Sequence, residues 1–176
     1  VARFNGEGFD APEMLAGWGH PVEERNGDMG SNVDIAVDAE GNVHLCYQDG
    51  MTDSLRYLAP ELGVDEWVDD GRRIDQDGRE AALHVVGEDC AIRAHAGGIV
   101  IVHQDATSHN LLWAARDNAG NWNRRVLRGD EPGYVGAFGF YATAEVVGES
   151  LWISNYVYQH HLETPAQSLE MIREDL

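Results

Sequence analysis

The residues of this chain that could do chemistry are eight histidines and 31 carboxylates. His20, His109 and the adjacent pair His160-His161, with Asp49 and Asp105, form a candidate ligand set, because imidazole nitrogen and carboxylate oxygen are the donors zinc takes. The Asp-rich turns Asp69-Asp70-Gly71 and Asp75-Gln76-Asp77-Gly78 supply oxygen alone, the donor of calcium, though neither has EF-hand spacing. The expected cofactor is therefore a divalent metal, Zn or Ca, if there is one. No spacing matches a zinc-protease helix or a cysteine-rich zinc motif, and neighbouring loop histidines in most proteins are simply solvated.

Aromatic residues suggest a second chemistry, stacking against a saccharide ring. Trp113, Trp152, Tyr134 and Tyr158 are the candidates, because they lack counterparts of the same type elsewhere in the repeat described below. No Gly-x-Gly-x-x-Gly, phosphate loop or nucleophile elbow occurs, so nucleotide cofactors and α/β-hydrolase chemistry have no support.

The elements that must position these residues repeat. Gly41-Asn42-Val43-His44-Leu45-Cys46-Tyr47-Gln48-Asp49, then Leu55-Arg56-Tyr57, returns as Gly97-Gly98-Ile99-Val100-Ile101-Val102-His103-Gln104-Asp105, then Leu111-Leu112-Trp113. Such a period marks a unit that buries its apolar faces by stacking on its own copies. Alternation predicts strands at 33–38, 43–47 and 54–58, with a fourth after Gly63 carrying Trp67 and Val68. The second unit predicts strands at 91–95, 99–103, 111–115 and 122–127, and the third at 141–147, 150–155 and 168–172. Ile99 to Val102 is continuously apolar, as in a strand covered on both faces.

Four antiparallel strands per unit is the content of one propeller blade. The expectation is a single all-β domain over 1–176, a partial β-propeller of about three blades with units near 33–74, 90–128 and 141–173. Residues 1–15 resemble the stretch from Ala114 to Leu127 and are expected to be an orphan outer strand, with Phe9 where Trp122 stands. Trp67, Trp122 and Phe9 are then equivalent packing residues. Blade-joining loops and the loops between second and third strands share one face, which gathers Asp49, Asp105, His109, His160, His161, His20, Asp75 and His84. The recurrent Gln48-Asp49 and Gln104-Asp105 fit a structural task, a side chain closing a turn on backbone amides.

The string from Ile35 to Asp49, with Leu55-Arg56-Tyr57 and Trp67-Val68-Asp69, resembles a bacterial β-propeller repeat found mostly in secreted or surface-attached proteins. Asp117-Asn118-Ala119-Gly120-Asn121-Trp122 resembles a degenerate Asp-box of sialidases, without their arginine cluster. The Tyr-Gln-Asp strand end and downstream Trp resemble fucose-binding six-bladed lectins. That likeness places the family's sugar-gripping Arg and Glu at His44 and Tyr57, where neither residue type is kept.

The 31 acidic residues face 12 basic ones, all arginine, for a formal charge of −19. This field repels nucleic acid and anionic membranes. No apolar run approaches the roughly 18 residues of a membrane span, so no membrane insertion is expected. No leader opens the sequence at Val1, which implies a signal segment absent or already removed. Cys46 and Cys90 allow one disulfide or two buried thiols.

The function expected is non-catalytic binding of a glycan, polymer or protein by a secreted or surface module. Two rivals remain: a metal-dependent hydrolase or lyase using the His/Asp face, and a structural piece of a larger assembly. Three blades leave apolar faces open, so self-association or a companion chain is expected to complete the ring.

Overall fold

The computed structural model describes residues 2–74, 77–81, 83–129, 136–159 and 166–176. The chain is all-β, in three antiparallel sheets each laid down in sequence order. Sheet 1 comprises β1 (Met29–Val37), β2 (Val43–Asp49), β3 (Ser54–Ala59) and β4 (Val64–Asp69). Sheet 2 comprises β5 (Val86–His95), β6 (Gly98–Asp105), β7 (Asn110–Asp117) and β8 (Trp122–Arg128). Sheet 3 has three strands, β9 (Ala137–Val147), β10 (Ser150–Gln159) and β11 (Ala166–Asp175).

Sheet 2 lies between the other two, and the apolar run in β6 reflects that position. Ile99 and Ile101 join Cys46, Leu55 and Tyr57 of sheet 1 in one buried cluster. Val100 and Val102 join Phe138, Leu151 and Ile153 of sheet 3 in another. Full burial of each such aliphatic side chain contributes about 1.5–3 kcal/mol. Cys46 and Cys90 are disulfide-bonded, tying β2 to β5 with their Cα atoms 6.4 Å apart.

The first strand of each sheet carries the same kink. Gly30, Gly87 and Gly139 have φ of 89, 90 and 85°, and two residues later Asn32, Asp89 and Tyr141 have φ of 51, 47 and 52°. Register breaks coincide with these positions in all three sheets, the signature of a bulge that bends an inner strand. A methyl on Gly87 would lie 3.0 Å from the Cα of Leu55 in sheet 1, and one on Gly139 would lie 3.2 Å from Cβ of Gln104 in sheet 2. Bare backbone is therefore what lets β5 and β9 dock on the preceding sheet.

Two expectations are corrected. Residues 2–15 join none of the three sheets; Asn5 Oδ1 instead accepts from the Glu7 and Gly8 amides at 3.1 and 3.0 Å, folding the segment back so that Phe4 bridges Phe9. Phe9 is accordingly exposed rather than packed between sheets. Trp67 and Trp122 also hold different register positions, since Trp67 faces Arg56 across the ladder whereas Trp122, at the start of β8, faces Arg116. Trp122 packs edge-on against Tyr57 of sheet 1, and Trp67 stays largely exposed under the Arg56 guanidinium.

Candidate functional site

At one end of the molecule, a cleft of about 670 Å³ opens between sheets 1 and 2. Two turns of the same pattern form its walls. In Asp38-Ala39-Glu40-Gly41-Asn42, between β1 and β2, Asp38 Oδ1 accepts from the Asn42 amide at 2.8 Å and Oδ2 accepts from Asn42 Nδ2 at 2.8 Å. In Asp117-Asn118-Ala119-Gly120-Asn121, between β7 and β8, Asp117 Oδ1 accepts from the Ala119 and Asn121 amides at 2.9 and 2.8 Å. Each carboxylate pins its turn from within, as Asx side chains do when they replace a backbone acceptor.

Between these turns the cleft floor is a polar relay. His44 on β2 places Nδ1 2.7 Å from the Tyr57 hydroxyl and Nε2 3.1 Å from Asp38 Oδ2. Hydrogen bonds from Asn42 and then His44 hold the Asp38 carboxyl down to about 2, against opposing desolvation. Burial raises the Tyr57 phenol above its ordinary range, so it stays protonated at neutral pH. Arg116 on β7 lies with its guanidinium carbon 5.5 Å from the Tyr57 ring centre and donates from Nε to Glu66 Oε1 at 2.6 Å, an oxygen that Trp122 Nε1 also reaches at 2.9 Å. Ala94, Ile99, Val37 and Leu62 supply apolar lining, and His95 and Asn118 stand at the rim. The arrangement is a mixed polar and apolar surface whose buried groups already hold one another.

The opposite, strand-end face carries part of the predicted His/Asp set. There the Asp105 carboxylate accepts from the Thr107 and Ser108 amides at 3.1 and 2.9 Å, from Arg73 Nη2 at 3.0 Å, and lies 2.7 Å from His84 Nδ1. Arg73 also grips buried Asp69 with two hydrogen bonds, at 2.9 and 3.1 Å. Burial works to raise both carboxyls, but the Arg73 bonds at Asp69, and the Ser108 amide, His84 and Arg73 at Asp105, hold both below the ordinary range. Arg73 and His84 belong to the segment joining β4 to β5, so the cluster locks that connection onto the ends of β4 and β6. Asp49 performs the lesser version of the same task, accepting from the Met51 amide at 2.9 Å.

The predicted metal set does not assemble in the described residues, where no three His, Cys, Asp or Glu side chains are placed to hold an ion. His20 Nδ1 accepts from the Val22 amide at 3.1 Å, and His109 is an exposed turn residue with φ 58°. His160, His161, Asp75 and Tyr134 lie outside the described residues. Of the predicted aromatics, Trp113 packs against the cluster between sheets 2 and 3 with the Arg125 guanidinium 4.8 Å over its ring. Trp152 and Tyr158 stand on the outward face of sheet 3 with Ser154 and Tyr156, alternating with buried Leu151, Ile153, Asn155 and Val157. Asp38, Arg116 and His95 were missed as site residues. The signal that could have found the cleft is the shared Asp-x-x-Gly-Asn pattern of its two turns.

No protein-family model matches the chain, and no curated protein matches it.

Proposed function

We propose that the three sheets are blades of a propeller-type arc and that the protein is a non-catalytic recognition module whose cleft between sheets 1 and 2 binds a neutral, hydroxyl-rich ligand such as an oligosaccharide. The observation that carries this reading is the saturated relay Asp38–His44–Tyr57 beneath a rim of His95, Arg116 and Asn118. A floor already hydrogen-bonded needs no rearrangement when a ligand arrives, and pre-organisation of this kind favours binding. Apolar lining beside guanidinium, amide and imidazole groups matches a sugar, which offers hydroxyls on its edge and C–H groups on its face. The formal charge of −19 disfavours an anionic ligand. The Cys46–Cys90 disulfide supports a secreted or surface location, where oxidising conditions keep such a bond formed.

The test is a glycan array followed by calorimetry on the intact chain. Truncating the rim with His95→Ala and Asn118→Ala is expected to weaken saccharide binding about tenfold per lost hydrogen bond while the melting temperature holds. Absence of any saccharide binding at millimolar concentration, or binding unchanged in the double variant, would sink the reading.

A further inference from the structure

We propose that the saccharide surface does not stop at the cleft between sheets 1 and 2 but crosses the end of sheet 2 into a second cavity, so that the ligand is a neutral oligosaccharide held on both sides of one ridge. The inference rests on the cleft reading above and adds a subsite to it.

The second cavity, of about 360 Å³, lies between sheets 2 and 3 at the same end of the molecule. It shares His95, Arg116 and Asp117 with the first cleft. The ridge between them is made of two turns, one joining β5 to β6 and one joining β7 to β8, which Asn118 ties together by donating from Nδ2 to the Ala96 carbonyl at 3.4 Å. The shared side chains are seated on bare backbone. A methyl on Gly97 would lie 2.8 Å from Cε1 of the His95 ring, and one on Gly120 would lie 3.0 Å from Arg116 Nη2. The Gly97 amide also donates to His95 Nδ1 at 3.2 Å, which leaves Nε2 to carry the proton and donate outward. A chain crossing the ridge therefore meets an imidazole and a guanidinium, with no side chain at Gly97 or Gly120 in its way.

The two sides differ in what they still need. In the first cleft His44, Tyr57 and Asp38 already hold one another. In the second, Trp113 lines the cavity, and its buried indole N–H has no hydrogen-bond partner among the described residues. One ring face lies under the Arg125 guanidinium and the ring packs against the core between sheets 2 and 3, so the indole offers a donor rather than a stacking platform. Asn123, exposed on β8, adds an amide to the same wall. A buried donor left unpaired is costly, and a hydroxyl oxygen that enters the cavity and accepts from it relieves that cost. Asp117 and Asp175 also line the cavity, which disfavours an acidic sugar and keeps the ligand class neutral. Stacked sheets lie about 10 Å apart, so a ligand filling both sides of sheet 2 has more than one ring.

The experiment is titration calorimetry of the intact chain with neutral glucose, mannose and galactose oligomers of increasing length, from the single ring upward. The sugar that binds is expected to gain about tenfold in affinity between the single ring and the trisaccharide, and little beyond it. Trp113→Phe removes the indole N–H and keeps the ring. It is expected to abolish that gain while single-ring binding and the melting temperature hold, since the donor removed is unpaired in the free protein. Asn123→Ala, at an exposed position, repeats the arm should Trp113→Phe fail to fold. His95→Ala, on the shared ridge, is expected to weaken single-ring and trisaccharide binding alike. Affinity that does not rise with chain length overturns the inference and leaves the cleft reading standing, as does a rise that survives both Trp113→Phe and Asn123→Ala. No saccharide binding at any length overturns both.

Discussion

Leu111 and Leu169 occupy the same register position in consecutive sheets, yet one is sealed and the other is mostly exposed. Leu111 lies on β7 between β6 and β8, with both ladders paired, whereas Leu169 lies on β11, the edge strand of its sheet. Leu111 is also sealed by sheet 3, whereas no described residue covers Leu169. Burial in a stacked architecture is therefore a property of the stack, and a leucine's energetic weight changes with its place in the series.

The sharpest way to break this comparison is to truncate both. Leu111→Ala is expected to cost about 3–5 kcal/mol in denaturant unfolding, through lost transfer energy and a cavity. Leu169→Ala is expected to change stability by less than about 0.5 kcal/mol. Equal effects would show that the outer face of sheet 3 is covered. Next in size is the disulfide between the covered faces: Cys46→Ala/Cys90→Ala is expected to lose about 4 kcal/mol, the chain-entropy value for a closed loop of this length. Unchanged unfolding under reducing conditions would contradict it.

The covered face also titrates. His103, fully buried on the side of sheet 2 that meets sheet 1, is held by burial at about 4, below its ordinary 6.5. The unfolded chain therefore binds the extra proton between those values, so the stabilisation is complete above pH 6.5 and is lost as pH falls toward 4. Unfolding free energy is expected to drop by roughly 3 kcal/mol across that window. His103→Gln should flatten the slope, and an unchanged slope would place the titrating group elsewhere. The smallest effect concerns backbone. Gly87→Ala combines a positive φ with a close Leu55 backbone and is expected to cost about 2–3 kcal/mol, whereas Gly30→Ala carries the strain alone, about 1 kcal/mol. Thermal melts of the two variants measure the difference.

Most strands were legible because period-two alternation and turn residues are local signals. Val33 to Val37 and Ser54 to Leu58 read as strands before any fold is known, and β6 revealed by its unbroken apolar run that both faces would be covered. The 1–15 segment misled because its likeness to residues 114–127 is one of residue type, whereas Asn5 captures two backbone amides and turns the chain back. Asp49 and Asp105 close the turns that follow them, a local task, whereas the glutamines beside them do not: Gln48 bonds Ser31 and Asn32 of β1, and Gln104 reaches the Phe138 carbonyl of sheet 3. The cleft was not legible, because Arg116 and His44 lie far apart in sequence and meet only once two sheets stack.

The sequence by itself determined most of the strands and the turns between them, because hydrophobic period and turn chemistry act over a few residues. Tertiary structure decided the rest: that Cys46 meets Cys90, that Asp105 meets His84 and Arg73, and that Leu169 lacks the cover given to Leu55 and Leu111. Those outcomes depend on which sheet faces which, and contacts between distant segments are set by the closing of whole faces rather than by any local pattern.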